Sequence, residues 1–221
     1  MRYELAVFDM DGTILDTLDD LAAALNHALA ACTFPTRTRD EVESFIGNGI
    51  RRLVACGVPE GTGEDDVERV HEAFVAYYRD HLADRTRPYS GIVPLLHALR
   101  AEGCHTAVVS NKDDGAVRAL CDAFFEGLFD AAVGYHDGVR RKPAPDTVEE
   151  VIGRLGIARE HAVYIGDTEV DRATARNARM DCILVSWGFR TRAALEDGGP
   201  DAIVDEPEEI RELILGNVEG R

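Results

Sequence analysis

Residues 7–20 read VFDMDGTILDTLDD, so that five aspartates follow directly on a short apolar run. Carboxylates spaced this closely repel one another in a folded chain, which indicates that some of them hold a cation. The spacing does not match an EF-hand calcium loop, which needs glycine at position 6 and glutamate at position 12. Counted from Asp9, those positions are Ile14 and Asp20. The stretch therefore predicts a cation site of another kind, at the end of a strand.

The charge balance narrows the range of partners. The chain has 221 residues, 41 acidic and 24 basic, and a formal net charge of −17. That length can bury one good core with a smaller second module. The negative field repels nucleic acids and anionic lipid surfaces, so we expect no nucleic-acid partner and no membrane partner. An anionic substrate would need a local positive site.

The cysteines and apolar runs indicate the compartment. The five cysteines are scattered, without the close pairs that zinc sites or disulfide frameworks use. We also expect no signal peptide, and the sequence contains no apolar run long enough to span a membrane. We expect a cytoplasmic protein with reduced thiols, either a monomer or a homodimer.

Short apolar runs alternate with helical patterns over most of the chain. The predicted strands are 4–8, 105–109, 131–134, 162–166, 182–185 and 201–204. The predicted helices between them are 91–102, 113–124, 145–155, 168–178, 190–197 and 207–215. This alternation is typical of an α/β fold with a doubly wound parallel sheet.

One interval interrupts the alternation. Residues 17–84 show only helical periodicity, including a long helix near 64–83 and a capping box in which Thr38 is the N-cap and Glu41 follows at N3. A wholly helical segment of this length is too long for a strand crossover. We therefore predict a core domain of residues 1–15 and 88–221, and a small all-α domain of residues 16–87.

Four polar stretches follow successive predicted strands, three of them directly and the third in the long connection after the strand at 131–134. They are 9–13 (DMDGT), 110–112 (SNK), 142–143 (KP) and 166–171 (GDTEVD). Ligands of open parallel sheets collect at the carboxyl ends of the strands. We expect the four stretches to converge at one edge of the sheet.

The residue types in these stretches favour phosphoryl chemistry. Asp9, Asp167 and Asp171 supply hard oxygen ligands of the kind that Mg²⁺ prefers. Lys142 adds a cation and Ser110 a hydroxyl, and such groups together can clamp a phosphoryl group. An aspartate in this setting can attack phosphorus, while a second one transfers protons.

These four motifs, in this order, resemble those of the haloacid dehalogenase superfamily, specifically its Mg²⁺-dependent phosphatases with a helical cap. The resemblance covers nearly the whole chain. It implies that Asp9 is the nucleophile and Asp11 the acid/base, and that Ser110 and Lys142 hold the phosphoryl group. We also expect Asn111 to bind the substrate. The second aspartate, Asp11, argues against carbon–halogen chemistry.

The resemblance also implies a metal site and a cap. The ligands of Mg²⁺ would be Asp9, the main-chain carbonyl of Asp11 and Asp167, with Asp171 in support. The helical insert matches the family's cap domain. The substrate would be a small phosphorylated metabolite.

Within the family, residues 45–53 (FIGNGIRRL) together with SNK are most similar to the phosphoglycolate phosphatase group. Gly47 and Asn48 precede a helical run whose first turn carries Arg51 and Arg52. The N-terminus of a helix and an arginine both attract carboxylates. We expect Gly47, Asn48 and one arginine, Arg51 or Arg52, to bind the carboxylate of 2-phosphoglycolate. A plain helix–helix turn is the alternative at 47–49.

Two other functions remain open on sequence alone. A phosphomutase of the same fold, similar to β-phosphoglucomutase, would return the phosphoryl group to its substrate rather than to water. A catalytically silent binding or regulatory protein could also use this scaffold.

Overall fold

The computed structural model describes residues 1–197 and 199–216. The chain divides into two compact units, Met1–Leu15 with Pro88–Arg221, and Asp16–Arg87. The predicted core range 88–221 includes Gly198 and residues 217–221, which lie outside the described residues. Within the described part of the chain, no helix has both the length and the apolar character needed to cross a membrane.

The first unit is built on a parallel sheet. The strands of the described residues are β1 (Leu5–Phe8), β2 (Leu15–Asp16), β3 (Arg87–Pro88), β4 (His105–Asp113), β5 (Ala131–Tyr135), β6 (Ala162–Gly166), β7 (Asp181–Val185) and β8 (Ala202–Val204). Six of them form one sheet in the order β5-β4-β1-β6-β7-β8, and its neighbouring strands are parallel. Strands β2 and β3 form a separate two-stranded sheet. The predicted α/β fold with a doubly wound parallel sheet is confirmed.

Strand β1 occupies the centre of the sheet. Its sequence, LAVF, is apolar throughout and all four residues are buried, as expected for a strand covered on both faces. It pairs with β4 on one side and β6 on the other. The strand order reverses at this position, which is where open α/β sheets leave a crevice for ligands.

The helices match the sequence pattern closely. They are α1 (Leu18–Ala31), α2 (Arg39–Phe45), α3 (Ile50–Gly57), α4 (Glu64–His81), α5 (Ile92–Ala101), α6 (Asp114–Phe124), α7 (Asp146–Leu155), α8 (Glu169–Ala178), α9 (Arg192–Glu196) and α10 (Pro207–Leu215). A short 3₁₀ turn covers Arg159–His161. The predicted capping box of Thr38 and Glu41 is present at the start of α2.

Strand β4 differs from its prediction. It continues four residues beyond the expected end at 109, and its register with β5 shifts between Val109 and Asp113. Ser110, Asn111 and Lys112 therefore lie inside the extended segment and not in a loop after it. Apolar residues alone define the predicted length, and these polar residues stop that pattern although the backbone stays extended.

The second unit consists of α1–α4. Helices α1 and α4 pack together, and both bury apolar side chains, among them Leu25 and Leu29 of α1 and Phe74 of α4. Asp20, in the first turn of α1, is also buried, and its carboxylate accepts hydrogen bonds from the main-chain N–H groups of Arg85 and Thr86. Asp20 thus ties the two ends of this unit together.

Candidate active site

The register of the central strands brings three of the predicted motifs to one edge. Phe8 of β1 pairs with Val108 of β4 and with Ile165 of β6. The residues that follow these positions are therefore level with one another at the carboxyl end of the sheet. Asp9 comes directly after Phe8, while Ser110 and Asp167 each lie two residues beyond the partners of Phe8 in β4 and β6.

Three predicted carboxylates form a buried cluster at this edge. Asp9, Asp167 and Asp171 each place a carboxylate oxygen within 4.8 Å of the others. The ammonium of Lys142 joins them, with Nζ 2.7 Å from Oδ1 of Asp9 and 2.8 Å from Oδ1 of Asp171. The fold thus brings together residues as far apart in the sequence as 9 and 171.

Both carboxylate oxygens of Asp171 accept hydrogen bonds from neighbouring groups. Its Oδ2 accepts hydrogen bonds from the Thr168 hydroxyl at 2.6 Å and the Thr168 N–H at 3.1 Å, which completes a capping box at the start of α8. Its Oδ1 accepts from the Tyr164 hydroxyl at 3.0 Å and from Lys142. With both oxygens engaged in this way, Asp171 is suited to support the site rather than to bind a ligand directly.

Burial and mutual repulsion govern ionisation in the cluster. Burial, and after it the charge of Asp171, raises the pKa of Asp9 well above its ordinary value and that of Asp167 to about 7. Burial also acts to raise the pKa of Asp171, but the Lys142 ammonium and the Thr168 and Tyr164 hydroxyls outweigh it and leave that pKa low. Burial would lower the pKa of Lys142, yet Asp171 and Asp9 raise it. Asp171 and Lys142 are therefore the charged pair, and Asp9 and Asp167 lack enough positive charge beside them.

This imbalance fits a divalent cation. Three carboxylates and one ammonium leave two formal negative charges when all four groups are ionised. Carboxylate oxygens are the donors that Mg²⁺ prefers, and a divalent cation would balance the remaining charge. The donor set of this edge thus agrees with the predicted metal site.

A segment that sequence reasoning missed holds Asp167 in place. The main-chain N–H of Phe189 donates to Oδ2 of Asp167 at 2.8 Å, while the Thr13 hydroxyl donates to Oδ1 at 3.0 Å. A Cβ on Gly188 would overlap Asp167 and lie 2.5 Å from the carbonyl oxygen of Gly12, so the segment can approach only as glycine. The position of this segment in the sequence could have identified it, because Trp-Gly-Phe at 187–189 follows strand β7 at the same edge of the sheet.

Asp11 takes a different partner from Asp9. Its Oδ1 lies 3.1 Å from Nζ of Lys112, a residue to which sequence reasoning gave no role. Gly12 follows with φ +83°, a left-handed conformation that glycine adopts without strain. The turn at Gly12 sends the chain back, and its N–H donates to the carbonyl oxygen of Leu15 at 2.9 Å.

Asn111 contacts the main chain of Lys142. Its side-chain amide donates to the Lys142 carbonyl at 3.1 Å and accepts from the Lys142 N–H at 2.7 Å. The guanidinium of Arg141 stacks on the Tyr135 ring at 3.5 Å from the ring centre and donates to the Asn111 carbonyl. These contacts fix the segment that carries Lys142, and the substrate-binding role of Asn111 stays a prediction. The Ser110 hydroxyl accepts from the Lys112 N–H at 3.2 Å.

The predicted specificity residues lie in the second unit. Gly47 and Asn48 form the turn between α2 and α3, and Gly49 precedes α3 with φ +81°. Arg51 of α3 pairs with Glu64, and its Nε lies 3.6 Å from Glu68. The structure thus gives the Arg51 guanidinium partners within its own unit.

Comparison with known proteins agrees with this geometry. The haloacid dehalogenase-like hydrolase family matches residues 6–185, which is most of the chain. The chain belongs to this family. It is a phosphatase, and the expected resemblance to phosphoglycolate phosphatases is confirmed.

Curated relatives of this haloacid dehalogenase-like phosphatase include two phosphoglycolate phosphatases. That of Caulobacter vibrioides is 33% identical over 201 residues, 89% of this chain and 84% of the relative. That of Agrobacterium fabrum is 32% identical over 206 residues, 91% of this chain and 88% of the relative.

Solved structures show the same fold. A crystal structure from Lactobacillus delbrueckii subsp. bulgaricus, whose assignment as a phosphoglycolate phosphatase is itself a prediction, has a TM-score of 0.92 and 42% identity. The match covers 98% of this haloacid dehalogenase-like phosphatase and 100% of that chain. CbbY from Rhodobacter sphaeroides, solved as a mutant with xylulose 1,5-bisphosphate, has a TM-score of 0.74 and 25% identity, with 94% and 96% of the two chains covered.

Proposed function

We propose that this phosphatase is a Mg²⁺-dependent phosphomonoester hydrolase that works through an aspartyl phosphate on Asp9, with 2-phosphoglycolate as its leading substrate. The observation that carries the proposal is the contact of 2.7 Å between Asp9 and Lys142 inside the buried carboxylate cluster. An attacking carboxylate needs a cation next to it that also receives the negative oxygens of the phosphoryl group.

The reaction divides between the two aspartates of the first motif. A carboxylate oxygen of Asp9 attacks phosphorus, and the ester P–O bond breaks as Asp11 gives a proton to the leaving oxygen. A water oxygen then attacks the phosphorus of the aspartyl phosphate and loses a proton to Asp11. Inorganic phosphate leaves, and the Asp9 carboxylate is restored.

Other residues of the site hold the phosphoryl group in line. Lys142 is 3% exposed and Ser110 is 2% exposed, so both act in a place from which most water is excluded. Electrostatic contacts are stronger in such surroundings. We assign the phosphoryl contacts to Lys142 and Ser110.

The metal ligands we assign are Asp9, the main-chain carbonyl of Asp11 and Asp167, and Asp171 supports them through Lys142 and α8. When bound, Mg²⁺ supplies positive charge to the phosphoryl oxygens. The support for this assignment is the excess of two negative charges that the cluster has when its three carboxylates and the Lys142 ammonium are ionised.

The choice of 2-phosphoglycolate draws on two observations. The curated relatives named above are phosphoglycolate phosphatases. The second unit also carries arginines in the first turn of α3, a chemistry suited to a carboxylate. We propose that Gly47, Asn48 and Arg51 or Arg52 recognise that carboxylate.

A panel of phosphomonoesters with Mg²⁺ tests the proposal. It contains 2-phosphoglycolate, glycerol 3-phosphate, xylulose 1,5-bisphosphate and p-nitrophenyl phosphate, with inorganic phosphate as the readout. We expect kcat/KM for 2-phosphoglycolate to exceed the other values by at least about tenfold, the discrimination that one well-placed charged contact gives. Phosphate release that requires an added sugar bisphosphate would indicate a phosphomutase instead. Release of phosphate from none of the four esters would contradict the proposal as a whole.

A further inference from the structure

Lysine is rare in this chain. Of the 24 basic residues, 22 are arginines, and the two lysines are Lys112 and Lys142. Both are buried, each with 3% of its surface exposed. Arginine and lysine are not interchangeable, because the lysine ammonium is a compact point charge and the arginine guanidinium is a planar fork. Both lysines of this chain are therefore buried ammonium groups, and the exposed cationic side chains are arginines.

Each lysine is paired with one of the two aspartates of the first motif. Lys142 contacts Asp9 at 2.7 Å, and Lys112 contacts Asp11 at 3.1 Å. The two carboxylates are thus held by separate cations. The proposed reaction gives Asp9 and Asp11 different tasks, and separate partners keep each one in its own position.

The main chain of Lys112 is fixed by the site itself. Its N–H donates to the Ser110 hydroxyl, and the next residue, Asp113, caps α6 by accepting from the Gly115 N–H at 3.0 Å. The base of the Lys112 side chain is therefore held by a strand on one side and by a helix start on the other.

The exposures of the two side chains decide how Lys112 acts. The Lys112 side chain is 2% exposed and that of Asp11 is 16% exposed. The Asp11 carboxylate is therefore more open to solvent than the Lys112 ammonium. This arrangement favours an effect through Asp11 over direct contact with the substrate.

We propose that Lys112 is a positioning residue, which holds the Asp11 carboxylate in the orientation needed for proton transfer. The inference rests on the proposed acid/base role of Asp11. In each turnover the proton passes from Asp11 to the leaving oxygen, and later from water to Asp11. The contribution of Lys112 is geometric, because a proton donor displaced by an ångström loses much of its effect.

A double-mutant cycle tests this role. Lys112→Met, Asp11→Asn and the double variant are compared with Mg²⁺ on the best alkyl phosphate of the panel and on p-nitrophenyl phosphate. Lys112→Met should lower kcat on the alkyl phosphate by about 10- to 100-fold while KM changes less than about threefold. The initial burst of p-nitrophenol should change less than about threefold, because this leaving group needs little protonation. In the Asp11→Asn background, Lys112→Met should change either rate by less than about twofold.

Two controls accompany the cycle. Asp113→Ala removes the cap of α6 next to Lys112 and should leave the ratio of alkyl to aryl rates unchanged. Lys112→Gln is a second neutral variant. Thermal unfolding shows whether each variant folds, and the cycle can be measured with either Lys112→Met or Lys112→Gln.

Three results would overturn the inference. They are a neutral Lys112 variant with wild-type kcat, a loss confined to KM, and a further loss when the Lys112 change is added to Asp11→Asn. If the wild-type protein releases no phosphate from either ester, the proposed function itself fails. That outcome is distinct from wild-type turnover with an unaffected Lys112 variant.

Discussion

Asp171 holds Lys142 with Oδ1, at 2.8 Å, while its Oδ2 accepts from Thr168 and closes the capping box of α8. The residue that begins the helix is therefore also the one that locates the cation. Either function alone would explain an aspartate at this position. The structure shows both at once, so the direction of α8 and the position of the ammonium depend on one side chain.

The first prediction concerns the nucleophile. Asp9→Asn should lower kcat by more than about 10³-fold, because the attacking carboxylate is lost while the shape of the side chain is kept. Burial already disfavours the charge on Asp9, as its raised pKa shows, so the metal-free variant should unfold at a temperature no lower than wild type. Asp19→Asn, at an exposed ion pair with Arg39, is the matched control and should keep full activity. Wild-type turnover by Asp9→Asn on any phosphomonoester would rule out the covalent mechanism.

The second prediction concerns the cation. Lys142→Ala should lower kcat by about 10²–10³-fold, the effect of removing one electrostatic donor. It also leaves the buried Asp171 and Asp9 without their partner, which typically costs about 3–5 kcal/mol in the free energy of unfolding. Steady-state kinetics and urea unfolding measure the two effects. Arg140→Ala, an exposed cation two residues away, should change neither. A change in KM alone would make Lys142 a binding residue only.

The third prediction concerns metal and pH together. Activity should disappear in excess EDTA and return with Mg²⁺. The pKa of Asp167, about 7 in the folded protein, is above its ordinary value of 3.8, so the folded state binds more protons between these values. The free energy of unfolding of the metal-free protein should therefore fall as pH rises through this window.

Mg²⁺ should reverse that trend, because it binds the deprotonated carboxylates. The increase in unfolding temperature caused by Mg²⁺ should be larger at about pH 8 than at about pH 6. An equal increase at both values would show that the cluster does not lose protons on binding the metal, and full turnover in EDTA would remove the metal assignment.

The fourth prediction concerns the segment after β7. Gly188→Ala places a Cβ against Asp167 and the Gly12 carbonyl, so Asp167 must move. The apparent Mg²⁺ affinity, measured from activity against Mg²⁺ concentration, should fall by about 10- to 100-fold. Gly153→Ala in α7 is the control, since its Cβ would enter open space. That change should stabilise the protein by about 0.5–1 kcal/mol and leave Mg²⁺ affinity unchanged. An unchanged affinity in Gly188→Ala would mean that Asp167 is not a ligand.

The fifth prediction concerns specificity. Arg51→Ala and Arg52→Ala, singly and together, should lower kcat/KM for 2-phosphoglycolate while hydrolysis of p-nitrophenyl phosphate changes far less. Arg69→Ala removes an exposed cation of the same unit and serves as the control. Equal losses on both substrates, or none, would exclude carboxylate recognition by these arginines.

Much of the fold and of the site follows from local sequence. Apolar runs define the strands, and polar stretches near their ends converge because parallel strands share one carboxyl edge. Asp9, Lys142 and Asp171 could be placed together in this way. Lys112 and Phe189 could not, because the contact of Lys112 with Asp11 and that of the Phe189 N–H with Asp167 depend on side-chain direction and main-chain path, which residue type does not encode. The length of β4 was underestimated because its last residues are polar and end the apolar pattern although the backbone stays extended.

The scarcity and enclosure of lysine give this protein an unusual chemical surface. Reagents that acylate or alkylate side-chain amines find both lysines shielded in the folded chain. Labelling at residue 112 or 142 therefore records the fraction of molecules in which the carboxyl edge of the sheet has opened. The rate of labelling, followed by mass spectrometry, therefore measures local unfolding at this edge of the sheet.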